Sequence, residues 1–188
     1  MGYCGKIRDI VEIRREYTYL VVAPNDLEKE VVKWFESCVL LAPEEVVNKN
    51  YYVVDYPDGS KSLIGHYSGV PGCEYEVEKL YLVDFDSYGE KTGHTSVDYK
   101  TGTLVPSLFD GKPRVEDTET GEKYRGNGYA GRRLCVLNNM CEAIFEKKLH
   151  SDFMLLPGAI RVWDKMVGQG LAEKYQEEGM PWPWYRFF

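Results

Sequence analysis

The stretch Lys123–Phe145, KYRGNGYAGRRLCVLNNMCEAIF, decides how the rest of this chain is read. Gly126, Gly128 and Gly131, with the small Ala130 between them, stand just ahead of an apolar repeat. Leu134, Leu137, Cys141, Ile144 and Phe145 recur at spacings of three and four, the pattern of one helix face. Glycines ahead of a helix allow turns that a Cβ disfavours and let the backbone come close to a ligand. The helix N-terminus adds unpaired N–H groups and the positive end of the macrodipole, which suits phosphate. Arg125, Arg132 and Arg133 place positive charge there in an otherwise acidic protein. A tight connection with no ligand has the same appearance, so the flanking chain must decide. No Gly-Lys-Ser/Thr follows, which excludes a Walker loop, and no buried apolar strand runs directly into the turn as in a dinucleotide fold.

Composition narrows the class. At 188 residues, 44% hydrophobic and 28% charged, the chain can bury one good core and would be tight for two. A net charge of −7 argues against general binding to nucleic acid or anionic membrane. No apolar run has membrane-spanning length and MGYCGKIRDI lacks a signal-peptide core, so the reading is cytoplasmic. The cysteines (Cys4, Cys38, Cys73, Cys135, Cys141) form no C-x-x-C pair and are expected reduced. His66, His94 and His150 show no metal-ligand spacing, so no metal is expected.

In order along the chain, YTYLVVA (17–23) reads as a strand, and DLEKEVVKWFESCVLL as a helix capped by Asn25 or Asp26. A short turn or helix, EEVVNK, follows. YYVVDY (51–56) and KSLIGHYSG (61–69) form a hairpin about Asp58-Gly59, and EYEVEKLYLVDF (74–85) extends the meander. Its second face runs from Glu74, Glu76 and Glu78 to Leu80 and Leu82, half polar and half buried. Residues 87–122 are polar and turn-rich, a hairpin excursion or flexible loop inserted before the glycine turn. SDFMLLP (151–157) reads as a buried strand, AIRVWDKMVGQG as a helix with Ile160, Trp163, Met166 and Val167 on one face, and LAEKYQEEG with PWPWYRFF as a closing strand pair. With no repeat and no linker, this is one α/β domain.

This order, with Arg125-Gly126-Asn127-Gly128-Tyr129-Ala130 at its centre, resembles the GNAT superfamily of acyl-CoA-dependent N-acetyltransferases. That family's pyrophosphate pattern is Arg or Gln, two residues, Gly, one residue, Gly or Ala. VEKLYLVDFDS is similar to its fourth strand, AIRVWDKM with the later Gly-Leu to its last helix, and Gly65 stands where its third strand often has glycine. The resemblance implies a single domain over 1–188 of α/β (α+β) class. Its central sheet would be mixed but mostly antiparallel and flanked by helices, with an inserted loop or hairpin at about 87–123. Three departures stand out: the insertion separates strand from turn, Leu134 sits one residue later than the family's helix pattern, and Trp163 occupies the place of a tyrosine that often protonates the leaving thiolate.

For chemistry, the resemblance implies acetyl-CoA as co-substrate and direct attack by a primary amine. Backbone N–H groups of Gly126, Asn127, Gly128, Tyr129, Ala130 and Gly131, with Arg125, would bind the pyrophosphate. Backbone groups at Leu82, Val83 and Asp84 would pair with the pantetheine arm and donate to the thioester oxygen. An amine is mostly protonated at neutral pH, so a base is needed; Glu78, with Glu76 behind it, is the candidate, although acidic residues on a half-exposed strand are more often merely solvated. The acidic strand face suits a cationic acceptor, with no nucleic-acid or membrane partner expected. The aromatic tail (Trp182, Trp184, Tyr185, Phe187, Phe188) is a candidate acceptor wall, homodimer contact or plain core face. The alternative is a non-catalytic GNAT-like domain that binds acyl-CoA or a partner protein.

Overall fold

The computed structural model describes residues 10–13, 17–22, 48–72, 75–101, 111–152, 154–176, 178 and 182–188. The side chains of residues 10–22, 48 and 69–77 are outside that description. The helix expected at DLEKEVVKWFESCVLL falls outside it as well, as does the short turn or helix EEVVNK up to residue 47; its last two residues, Asn48 and Lys49, belong to a strand.

Seven strands form one antiparallel meander in sequence order: β1 (Ile10–Ile13), β2 (Tyr17–Val22), β3 (Asn48–Asp55), β4 (Lys61–Gly72), β5 (Tyr75–Phe85), β6 (Lys91–Thr101) and β7 (Arg114–Thr120). Two alike turns, YPDGSK and DSYGEK, make the β3–β4 and β5–β6 hairpins. In each, a glycine takes positive φ (Gly59 at 80°, Gly89 at 83°), where a side chain would be strained. In each an aspartate also accepts from backbone N–H groups two to four residues on: Asp58 from Ser60, and Asp86 from Tyr88 and Glu90.

The 87–122 stretch is therefore sheet rather than loop in its described part. It contributes β6 and β7, and β7, not β5, is the strand that runs into the glycine turn. A short 3-10 turn at Glu122–Tyr124 leads to Gly126 and Gly128, at φ 84° and 85°, and then into α1 (Tyr129–Phe145). The helix covers one sheet face. Leu134, Val136, Leu137, Met140 and Cys141 are buried against Leu80, Leu82, Val97 and Val115. This is the face expected from the apolar repeat, with Ile144 at its margin. Each such fully buried apolar side chain contributes about 1.5–3 kcal/mol of transfer free energy.

The described residues of 151–157 do not form the expected strand. Leu149–Ser151 is an extended link. His150 makes a parallel bridge to Arg114 of β7 and an antiparallel bridge to Arg186, joining the large sheet to a ribbon of β8 (Ala172–Tyr175) and β9 (Trp184–Phe187). The chain then turns outward, leaving Met154 67% and Leu156 78% exposed, and α2 (Pro157–Gly168) follows. Apolar composition alone suggested burial there, but beyond Ser151 the described residues pair with no strand and part from the edge of β7.

Candidate active-site cleft

β7 and the 149–152 link meet at one point and then part. The Val115 N–H donates to the His150 carbonyl (3.0 Å) and the His150 N–H to the Pro113 carbonyl (2.8 Å). Arg114 reaches Asp152 at 3.3 Å just beyond. Where the two diverge, a cleft of about 960 Å³ opens between β7 and Met154–Leu156, closed by the glycine turn, the first turn of α1 and the face of α2.

The glycine turn forms one end of that cleft. The first intrahelical bond of α1 runs from the Arg132 N–H to the Gly128 carbonyl (3.0 Å), so the N–H groups of Tyr129, Ala130 and Gly131 precede the ladder. Arg125, Gly126, Gly128, Tyr129, Ala130 and Gly131 all line the cleft, together with Arg132, Arg161 and Lys165. Asn127 sits on the other side of the turn, its N–H 3.4 Å from the Tyr124 carbonyl. Gly131 has a second reason to be glycine: a Cβ there would lie 2.6 Å from the Met166 methyl of α2.

The turn is held from beneath by a buried ionic cluster. Arg133, wholly buried, donates to Thr95 Oγ1 (3.0 Å), the Glu119 carbonyl (2.9 Å) and Thr120 Oγ1 (2.6 Å), and faces Asp84 at 3.4 Å. It thereby ties the first turn of α1 to the end of β7. Burial pushes the Asp84 carboxyl up, with the Arg133 guanidinium, the Ser62 hydroxyl and Arg132 pulling the other way. Ser62 donates to Asp84 and is itself 2.7 Å from the Tyr56 hydroxyl. Arg132 packs over the Tyr56 ring (3.8 Å) and donates to Ser60 (2.8 Å), which locks the β3–β4 turn to the helix start.

A bulge shapes the cleft wall. Ser96 pairs with Asp117 and Val97 with Val115, so Glu116 is the extra residue in β7. Val115 packs under α1 and Thr118 bonds to Thr95 on that face, whereas Asp117 accepts from His94 Nε2 (2.9 Å) on the opposite face. The cleft thus crosses the edge of β7 from the helix side to an acidic side with Glu116, Asp117 and Glu119. Glu116 is 3.2 Å from Lys79, which also reaches Asp98 at 3.1 Å. Desolvation and the neighbouring Asp98 carboxylate raise the Glu116 carboxyl above its ordinary range, against the pull of Lys79.

The other expected site residues lie elsewhere. Glu78 bonds to His66 Nε2 at 2.8 Å, and His66 packs edge-on to Phe145, the last residue of α1. Since the 17-residue helix spans about 24 Å, Glu78 is at the end far from the glycine turn and outside the cleft lining. The Glu76 side chain lies outside the described residues. Leu82, Val83 and Asp84 are buried on β5, whose two edges are paired to β4 and β6, so the strand edge expected to be free at them is not; they lie outside the cleft lining, which β7 borders instead. Trp163 is core: it stacks on Tyr185 (5.8 Å) and meets Phe187 edge-on (5.5 Å). Glu116 was legible only as RVEDTET directly ahead of the turn, a β-branched polar pattern fit for an edge strand.

Among the described residues no group of three metal-ligating side chains occurs, and no helix is long and apolar enough to cross a membrane. The sequence matches no family model and no curated protein. Two solved structures resemble the chain. One, an acetyltransferase of the GNAT family from Staphylococcus aureus Mu50, has a TM-score of 0.42 and 9% identity, covering 58% of this chain and 66% of that one. The other, nourseothricin acetyltransferase, has a TM-score of 0.40 and 14% identity, covering 92% of this chain and 97% of that one.

Proposed function

We propose that the protein is an acyl-CoA-dependent N-acyltransferase that carries an acetyl group from acetyl-CoA to a primary amine. The observation that carries this reading is the junction of the Arg125–Ala130 turn with the cleft along β7. N–H groups that precede the helical ladder stand at one end, an extended-strand edge follows, and a carboxyl pushed above its ordinary range lies at the other end. The pyrophosphate would rest on the N–H groups of Gly128–Gly131 beside Arg125, Arg161 and Lys165, where the helix terminus stabilises negative charge. The amide-bearing arm would lie along the outer edge of β7. Among the described residues, that edge has no strand partner beyond the Arg114–His150 bridge.

On the acidic side, Glu116 takes the proton that the attacking amine must lose. Nitrogen adds to the thioester carbon, the C–S bond breaks, and the products are an amide and CoA thiol. The carboxylates of Glu116, Asp117 and Glu119 favour a cationic amine at this mouth. Trp163, buried 98% and outside the cleft lining, has no proton for the thiolate, which draws one from solvent. Thiol release from acetyl-CoA, followed with a panel of primary amines including polyamines, tests the reading. Turnover by the wild type and its loss in Glu116→Gln are expected; full turnover in Glu116→Gln would remove Glu116 from the mechanism, and no turnover with any amine would favour a domain that binds acyl-CoA without catalysis.

A further inference from the structure

A second groove, of about 440 Å³, lies on the other side of the glycine turn. One wall is Lys123, Tyr124, Asn127 and Tyr129; the other is the β5–β6 turn with Asp86, Tyr88 and Glu90. Tyr124 and Tyr129 line both this groove and the cleft, so the two are continuous across the turn. A ligand whose diphosphate sits on the turn and whose arm enters the cleft has this groove open to its remaining end.

The groove is built for a flat ring rather than for another phosphate. Asp86 and Glu90 make it acidic, and its one cation, Lys123, is already paired with Glu90. Tyr124 is fixed edge-on to Tyr129 (ring centroids 5.7 Å apart), its hydroxyl 2.8 Å from Asp86 and 2.9 Å from Glu90. Asp86 Oδ1 also accepts from the Tyr88 and Glu90 N–H groups at 2.9 Å, so one carboxylate stiffens the turn and ties it to the 3-10 segment. Tyr88 projects from this rigid turn with 91% of its surface exposed, an aromatic face without a ring neighbour of its own among the contacts described. A purine with an exocyclic amino group meets this set: its π-face stacks on tyrosine and its N–H donates to a carboxylate.

We propose that the β5–β6 turn forms a nucleobase subsite in which Tyr88 stacks on the adenine of the acyl-CoA, beside Asp86 and Glu90. This rests on the acyl-CoA reading above and adds a contact made by the extra hairpin. Calorimetry with acetyl-CoA, acetyl-pantetheine (which lacks the nucleotide) and 3′,5′-ADP tests it on wild type, Tyr88→Ala and Tyr88→Phe. The expected result is about a tenfold weaker Kd for acetyl-CoA and 3′,5′-ADP in Tyr88→Ala, recovery in Tyr88→Phe, and no change for acetyl-pantetheine. An unchanged acetyl-CoA affinity in Tyr88→Ala, or equal weakening of acetyl-pantetheine, overturns the subsite while leaving the acyl-CoA reading intact. Tyr88-dependent binding of 3′,5′-ADP with no binding of acetyl-CoA keeps the nucleobase subsite and sinks the acyl-CoA reading. Binding of neither ligand overturns both.

Discussion

Replacing Arg133 with methionine isolates the ionic cluster beneath the glycine turn. The change keeps an unbranched apolar stem and removes the cation from a site with no solvent exposure. Asp84 is then left buried with Ser62 and the more distant Arg132, whose Nη2 is 3.9 Å away. The Thr120 hydroxyl and the Glu119 carbonyl also lose their donor. Breaking a buried pair by removing one partner costs about 3–5 kcal/mol, because the remaining charge has no water to return to. At about 2–4 °C per kcal/mol for a chain of this size, Tm should fall by about 6–20 °C. Differential scanning calorimetry measures it. The double variant Asp84→Leu/Arg133→Met removes the stranded charge and should recover at least half of the loss. The reasoning is refuted if Arg133→Met costs less than about 1 kcal/mol, or if the double variant is no more stable than the single one.

Further outcomes follow from individual contacts. The acidic limb of the kcat/KM profile should lie above the ordinary carboxylate range, since Glu116 works only when deprotonated and its carboxyl is raised. Lys79→Met should move that limb higher still by removing the opposing cation, while Glu116→Gln should cost about 10²–10⁴-fold in rate and abolish the limb. Gly93→Ala should destabilise by about 1–3 kcal/mol in urea, because its Cβ would sit 2.2 Å from the Glu119 backbone carbonyl, which cannot step aside. Gly131→Ala should stay within about 1 kcal/mol of wild type in the same titration: its clash is with the flexible end of Met166, and alanine is the better helix former. Lys123→Ala should leave the urea midpoint unchanged, its ion pair with Glu90 being solvent-exposed.

The parts of the fold written in local chemistry were readable in the sequence. The period of Leu134, Leu137, Cys141 and Phe145 marked the helix face, and Asp58-Gly59 marked the first hairpin. The same turn chemistry recurs at Asp86–Glu90, and the polar stretch after it read as either a hairpin or a loop because an edge strand such as RVEDTET faces solvent and need not be apolar. The exposed Met154 and Leu156 show the converse: apolar residues in a run became the lip of a cleft. The glycine turn was found from its spacing. The proposed base, Glu116, was not, because neither the bulge in β7 nor the proximity of Asp98 and Lys79 is a property of neighbouring residues. Glu78 had the right chemistry on the right sheet face, but its bond to His66 places it at the wrong end of α1.

The most direct test of the central claim is a calorimetric titration of acetyl-CoA into the wild type and into Gly128→Glu. That variant adds bulk and negative charge at the N-cap of α1, where φ is 85° and nothing lies within 4 Å of the new Cβ. The account predicts saturable one-to-one binding by the wild type and its loss in the variant, with both proteins folded by circular dichroism. Absence of binding to the wild type, or equal affinity in Gly128→Glu, would contradict it and leave the cleft along β7 to a ligand without a diphosphate.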